Sequence, residues 1–126
     1  SISLGRMGVM PPWGAALGEG GVSDMTQYLL SISGQAAAPA QAAAGKAQFG
    51  LFCAACHGPE GKGNQALGAP NLTDEIWLYG GTPEVIAQTL KEGRNGNMPS
   101  HRDLLNEDRQ RLLAAYVLTL SAPQAQ

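Results

Sequence analysis

Cys53-Ala54-Ala55-Cys56-His57 is the stretch of sequence that decides the fold. The pattern C-x-x-C-H is typical of covalent attachment of a c-type haem. Two thiols at this spacing on a helical turn can each add to one vinyl group of the same porphyrin, and the histidine that follows can bind the iron. We therefore predict one covalently attached haem c, with thioethers at Cys53 and Cys56 and with His57 as the proximal iron ligand.

Other uses of two cysteines fit this sequence less well. A structural zinc site needs four ligands, and the chain offers only Cys53, Cys56, His57 and the distant His101. A thioredoxin-like redox pair would follow a strand in a βαβ pattern, whereas residues 43–52 have the character of a helix. A structural disulfide would leave the histidine unexplained. Haem attachment is therefore the favoured interpretation.

Composition narrows the class of protein further. The formal net charge is −2 and only 14% of residues are charged, which argues against binding to nucleic acid. Aromatic residues make up 6% of the chain, so a small core would gain much from a large apolar porphyrin. The longest apolar run, Leu112–Leu120, is far shorter than the roughly 18 residues of a membrane span. Ser1 follows no signal peptide, so we expect a targeting or anchoring segment to have preceded this sequence.

An internal repeat relates the two ends of the chain. The stretch Gly5–Pro11 returns as Gly93–Pro99, and Tyr28–Ser33 returns as Tyr116–Ser121, in both cases 88 positions later and without a gap. Two matching blocks in one register are hard to attribute to chance. The first part of the chain is therefore predicted to be the back half of an earlier copy of the same domain.

The repeat defines a domain organisation. We predict that residues 1–34 are the C-terminal remnant of a preceding domain, that residues 35–44 are a linker, and that residues 45–126 are a complete domain. In the complete copy, Pro83–Glu92 has the capping pattern of a helix, and Asn106 is placed to cap the last helix. The predicted class is all-α, with few or no strands. The apolar stripe of the last helix comprises Leu112, Leu113, Tyr116, Val117 and Leu120.

Met98 is the predicted distal iron ligand. It lies between two predicted helices, immediately before Pro99, and Met10 holds the matching place in the first copy. A methionine is more often a core filler, but this loop position argues against that role. The alternatives are His101 as a second histidine ligand and an open iron. A thioether raises the reduction potential and closes the iron to substrate, so the predicted function is electron transfer rather than catalysis.

Two further residues are candidates for supporting roles around the haem. The carbonyl of Pro70 could accept the remaining ring N–H of His57 and fix its tautomer, or Pro70 could be a simple turn proline. Arg94 could pair with a haem propionate, or it could be a solvated arginine at a helix end. Trp77 and Tyr79 are expected to pack in the core or against the haem.

The sequence resembles the dihaem cytochrome c subunit (subunit III) of cbb₃-type cytochrome c oxidases over almost its whole length. The residues that carry the resemblance are Cys53–Asn64, Gly68–Asp74, Ile76–Gly80, Gly93–Pro99 and Tyr116–Ser121. The motif and the Met-Pro loop are general to class I cytochromes c, and the Ala-Pro-Asn-Leu-Thr-Asp stretch is more particular. The resemblance implies a class I cytochrome c fold, with three to five short helices around the haem.

The resemblance also implies a place in a larger assembly. It implies an electron-entry subunit on the periplasmic side of the bacterial inner membrane, anchored by a segment absent from this chain. Electrons would come from soluble or membrane cytochromes c and pass to a haem–copper subunit, where the enzyme chemistry would reside. The alternatives are a cytochrome domain of another respiratory or dehydrogenase complex, or an open-site haem enzyme or gas sensor. Because the first copy lacks its own haem motif here, we expect Met10 not to bind iron.

Overall fold

A computed structural model describes residues 1–120 of the chain, and the described part is mainly helical. Residues 121–126, the end of the predicted domain 45–126, lie outside the described residues. No helix within residues 1–120 is long and apolar enough to cross a membrane. The elements in chain order are β1 (Arg6–Met10), α1 (Gly14–Ile32), α2 (Pro39–Phe52), α3 (Ala54–His57), α4 (Pro83–Glu92), β2 (Arg94–Met98) and α5 (Glu107–Leu120). The all-α class is confirmed, with one two-stranded sheet added.

The chain forms two compact units. The motif unit contains residues 8–95, including the C-x-x-C-H stretch, and the α5 unit contains residues 1–7 together with the described residues from Gly96 onward. This division differs from the predicted one at residues 34 and 44, because each unit combines residues from both copies of the repeat. The strands β1 and β2 are hydrogen-bonded neighbours, and the boundary between the units falls within both strands.

The core of the motif unit is built where α1 packs along α2. Gly45 has no Cβ, and a Cβ there would collide with the carbonyl oxygen of Asp24 and with the side chain of Tyr28. The close approach lets the Tyr28 ring meet the edge of the Phe49 ring, with centroids 5.2 Å apart. The buried apolar residues are Val22, Met25, Tyr28, Leu29, Leu30, Phe49, Cys53, Ile86 and Leu90.

The helix α4 begins and ends where the sequence predicts. The side chain of Thr82 accepts a hydrogen bond from the Val85 N–H, and Pro83 occupies the first turn, where its missing N–H is not needed. Gly93, with φ of 72°, ends the helix in a backbone conformation that glycine adopts readily. Ile86 and Leu90 are the buried residues of this helix.

The last helix begins where the sequence predicts but has no buried face within the described residues. The Asn106 side chain accepts a hydrogen bond from the Arg109 N–H at 3.0 Å, which confirms the predicted cap. No residue of α5 is buried within the described part of the chain. Tyr116 is 60% exposed and Leu112 is 70% exposed, although both belong to the apolar stripe.

Candidate functional site

The C-x-x-C-H stretch forms one tight helical turn after the end of α2. Cys53 is the last residue of the preceding helix in hydrogen-bonding terms, because its N–H donates to the Phe49 carbonyl at 2.9 Å. Its own carbonyl then accepts from the N–H groups of both Cys56 and His57, at 3.2 and 2.9 Å. This turn brings the two thiols and the imidazole together on one short segment, which is the arrangement that attachment of a haem requires.

The two thiols differ in their surroundings. Both Cys53 and Cys56 are free, with Cys53 buried and Cys56 exposed. Burial, with a smaller contribution from the neighbouring Cys56, raises the pKa of Cys53 to about 11. The disulfide alternative is not realised, and residues 1–120 bring no group of three or more His, Cys, Asp or Glu side chains together as a zinc site would need.

His57 is oriented by a backbone carbonyl. Its Nδ1 lies 3.1 Å from the carbonyl oxygen of Pro70, and a carbonyl can only accept. Nδ1 therefore carries the proton, and Nε2 keeps the lone pair that binds a metal. Burial lowers the pKa of His57, and the hydrogen bond to Pro70 opposes this effect in part. The structure thus contains the hydrogen bond that the sequence suggested for Pro70.

A glycine allows the backbone of Pro70 to lie close to the backbone of residue 63. Gly63 has φ of 84°, and a Cβ at this position would lie 2.6 Å from the carbonyl carbon of Pro70. The N–H of Gly63 donates to the His57 carbonyl at 2.7 Å, and Asn64 pairs with Ala69 through two backbone hydrogen bonds. The loop that contains Gly63 and Pro70 is therefore joined to the haem motif by a backbone hydrogen bond. Its close packing at Gly63 requires a residue without a Cβ.

The donor set fits a covalently bound haem c. Two unpaired thiols are available for thioether formation at Cys53 and Cys56, and the Nε2 atom of His57 is left for iron. A buried aromatic donor also lies in the same unit, because Trp77 packs against the core and its Nε1 has no hydrogen-bond partner among the described residues. An indole N–H of this kind can donate to a carboxylate such as a haem propionate.

Arg94 is engaged with protein groups in the structure. Its Nε donates to the Thr89 hydroxyl at 3.1 Å, and its guanidinium lies 4.6 Å from the centroid of the Tyr79 ring. These contacts hold the side chain against α4 and stabilise its charge over the ring. The propionate role of Arg94 stays a prediction.

The two candidate distal ligands lie in the α5 unit, whereas His57 lies in the motif unit. Met98 belongs to the α5 unit and is 37% exposed, and His101, in the same unit, is partly buried. Met10 belongs to the motif unit, together with His57, and packs against the cluster that contains Cys53. The place of α1 beside the haem motif does not follow from the C-x-x-C-H pattern. Its signal in the sequence is the pair Gly45 and Phe49, which lie four residues apart on one face of α2 and need a helical partner.

Comparison with known proteins identifies the family. Residues 40–117 match the model of the family described as cytochrome c oxidase, cbb₃-type, subunit III. The chain is 43% identical to the cbb₃-type cytochrome c oxidase subunit CcoP of Rubrivivax gelatinosus, covering 96% of this chain and 40% of the relative. It is likewise 43% identical to the subunit FixP of Azorhizobium caulinodans, covering 95% of this chain and 41% of the relative.

A third relative, CcoP of Rhodobacter capsulatus, is 44% identical over 82% of this chain and 37% of its own length. The chain thus spans about two fifths of the length of the relatives it matches. Family membership implies a covalently bound haem c, in agreement with the donor set at Cys53, Cys56 and His57. The chain belongs to the family of cbb₃-type cytochrome c oxidase subunit III.

Proposed function

We propose that the chain carries a single haem c, attached at Cys53 and Cys56, and transfers electrons through it. The observation that carries the proposal is the hydrogen bond between His57 and Pro70, because the carbonyl oxygen accepts from Nδ1–H and so leaves Nε2 for the iron. The haem supplies the one-electron chemistry when it is bound. The protein residues attach the porphyrin, orient the imidazole and limit access of water to it, since His57 is only 8% exposed.

A methionine thioether is the proposed sixth ligand. The sequence predicts Met98 for this role, and its repeat counterpart Met10 stands in the same Met-Pro context. A thioether favours ferrous iron and leaves no open coordination position. Both effects support a carrier of electrons rather than an enzyme or a gas sensor.

The proposed setting is a respiratory oxidase. The relatives are named as subunits of cbb₃-type cytochrome c oxidase, which supports an electron-entry role beside other oxidase subunits. Soluble or membrane cytochromes c would be the donors, and oxygen reduction would belong to a partner haem–copper subunit. The proposed location is the periplasmic side of the inner membrane, with anchoring by a segment outside this sequence.

The proposal is tested by expressing the chain with a cytochrome c maturation system. We expect the intact mass to rise by one haem, and the Cys53→Ala/Cys56→Ala variant to contain no covalent haem. The reduced wild-type protein should not bind carbon monoxide at neutral pH. If the wild-type chain carried no covalent haem after expression with the maturation system, the proposal would be refuted. Rapid stoichiometric carbon monoxide binding would favour an open-site enzyme or sensor.

The contact between His57 and Pro70 predicts an effect on the reduction potential. In Gly63→Ala, the new Cβ would displace the Pro70 carbonyl, weaken its hydrogen bond and make the imidazole a poorer donor to ferric iron. We expect the potential to rise. Gly58→Ala is the matched control, because Gly58 also has positive φ but a Cβ there would meet no atom within 4 Å. Equal shifts in both variants in potentiometric titration would contradict the role of the carbonyl.

A further inference from the structure

The helices α1 and α5 are the same element in two copies of one repeat. Within α1, Gly18 has non-helical angles, with φ of 67° and ψ of 174°, so the regular helix after it covers residues 19–32. The counterpart of that helix, 88 positions later, is residues 107–120, which are the bounds of α5. Gly18 corresponds to Asn106, whose side chain caps α5. The burial of α1 therefore indicates which face of α5 a partner can cover.

One face of α5 corresponds to the buried face of α1. The large apolar residues that are buried in α1 from Met25 onward have apolar counterparts in α5, which are Leu113, Tyr116, Val117 and Leu118. These four residues, called the α5 face below, are between 38% and 71% exposed. The neighbouring Leu112 corresponds to the partly exposed Asp24 and lies outside this face. The α5 face thus has the composition of a buried helix face, but it is not buried among the described residues.

In the motif unit, the corresponding face of α1 is covered by α2. A Cβ at Gly45 would collide with the backbone of α1, and the ring of Tyr28 meets the edge of the Phe49 ring. A small residue and an aromatic residue four positions later lie on one face of a helix, and this face is the one that accepts α1. A helix with these two residues is called an α2-type helix below. Because Tyr116 supplies the same ring on α5, an α2-type helix fits the α5 face.

The α5 unit contains the counterpart of the end of α4 but not that of α2. The N–H of His101 donates to the Ile2 carbonyl at 3.0 Å. The counterparts of these two residues, Trp13 and Leu90, make the same hydrogen bond at 2.8 Å in the motif unit. Residues 1–4 therefore take the place of the last turn of α4. Since α2 precedes α4 in the chain, the counterpart of α2 in this copy belongs upstream of that stretch.

We propose that the α5 face packs on an α2-type helix located upstream of Ser1 in the full-length protein. Two copies of one domain then exchange their C-terminal halves: α1 completes the domain that contains Cys53–His57, and α5 completes the domain before it. The length of the relatives supports such a segment, because the chain spans only about two fifths of it. This proposal concerns the assembly of the copies and does not depend on electron transfer by the haem.

A second copy of this chain fits the α5 face less well. The described part of each copy offers one α2 to two competing helices, α1 and α5. The α5 helix of one molecule can pack on the α2 helix of another only by displacing the α1 helix already there. Such an association uncovers as much apolar surface as it covers, so it gains no hydrophobic free energy. A helix upstream of Ser1 covers the α5 face without uncovering another.

Photo-crosslinking in the full-length, haem-loaded protein identifies what covers the α5 face. The probe is p-benzoylphenylalanine in place of Tyr116. The matched control carries the same probe in place of Tyr28 on α1, and a second control carries it in place of Leu112, outside the face. Each protein is irradiated in its monomeric fraction, and the cross-linked peptides are identified by mass spectrometry. Absorption spectra count the haems independently, so failure of the proposed haem function is distinguishable from failure of this proposal.

We expect the probe at position 116 to cross-link to a peptide upstream of Ser1, and the probe at position 28 to cross-link to α2. The probe at position 112 should give little of either product. Cross-linking of the probe at position 116 to α2, to a second copy of the protein, or to no peptide would overturn the proposal.

Hydrogen exchange provides a second measurement without a bulky probe. In the full-length protein, Leu113→Ala should speed amide exchange in residues 107–120 by about tenfold or more, because it removes a side chain that the partner helix covers. Leu112→Ala should change it by about twofold or less. In the 126-residue chain, neither variant should have a large effect, because both side chains are exposed there. Equal exchange of α5 in the full-length protein and in the 126-residue chain would show that no upstream helix covers the α5 face.

Discussion

The helices α1 and α5 carry corresponding residues of one repeat, and the structure treats them differently. Tyr28 of α1 is 8% exposed and meets Phe49, whereas its counterpart Tyr116 is 60% exposed. Leu29 is 5% exposed, and its counterpart Val117 is 49% exposed. The two helices share an apolar stripe, so the stripe alone does not determine burial. What decides it is which copy of the helix packs on the single α2 of the chain.

This difference shows that an apolar stripe in the sequence does not by itself specify which helix is buried. The 3.6-residue periodicity specifies that a helix has an apolar face, and it is satisfied equally by any partner that offers a matching groove. The groove on α2 requires a close approach at Gly45 and an aromatic contact at Phe49, and both copies of the helix provide a tyrosine for it. Local sequence therefore does not determine which copy of the helix occupies the groove on α2.

The largest expected difference is between the two tyrosines. Tyr28→Ala removes a buried ring from the core and should lower the free energy of unfolding by about 3–5 kcal/mol. Tyr116→Ala removes an exposed ring and should change it by about 0.5 kcal/mol or less. Urea titration of the haem-loaded variants measures both values. If the two substitutions lowered the free energy of unfolding equally, α1 would not be the helix that packs on α2.

A smaller effect distinguishes two glycines of α2. Gly45→Ala places a methyl group against the backbone of α1 and should destabilise the protein by about 1–3 kcal/mol. Gly50→Ala meets no atom within 4 Å and should stabilise it by about 0.5–1 kcal/mol through helix propensity. Thermal unfolding of both variants gives the comparison. A stabilising Gly45→Ala would mean that α1 does not approach α2 closely.

The local features of the fold could be predicted from the sequence. The cap at Thr82, the stop at Gly93 and the cap at Asn106 are determined by neighbouring residues, and all three are present. The haem motif is equally recognisable, because its chemistry depends on five consecutive residues. The Pro70 carbonyl could be suggested but not placed, since its position depends on backbone contacts around Gly63.

The pairing of the copies could not be predicted in the same way. The repeat is visible at an offset of 88 residues, but a repeat states only that two segments can occupy equivalent places. The sequence predicts only that residues 1–34 are the remnant of a preceding domain, whereas residues 8–34 pack within the motif unit. Which copy of the helix packs on α2 is a long-range choice between two nearly equivalent helices, and local periodicity, capping and spacing do not determine it.

Hydrogen exchange of the haem-loaded chain, followed by peptide mass spectrometry, tests the central claim most directly. The claim is that α1, rather than α5, completes the domain that holds the haem. Amides of residues 19–32 should exchange as slowly as those of α2, because they open only when the core unfolds. Amides of residues 107–120 should exchange much faster. Slow exchange in α5 together with fast exchange in α1 would contradict the account.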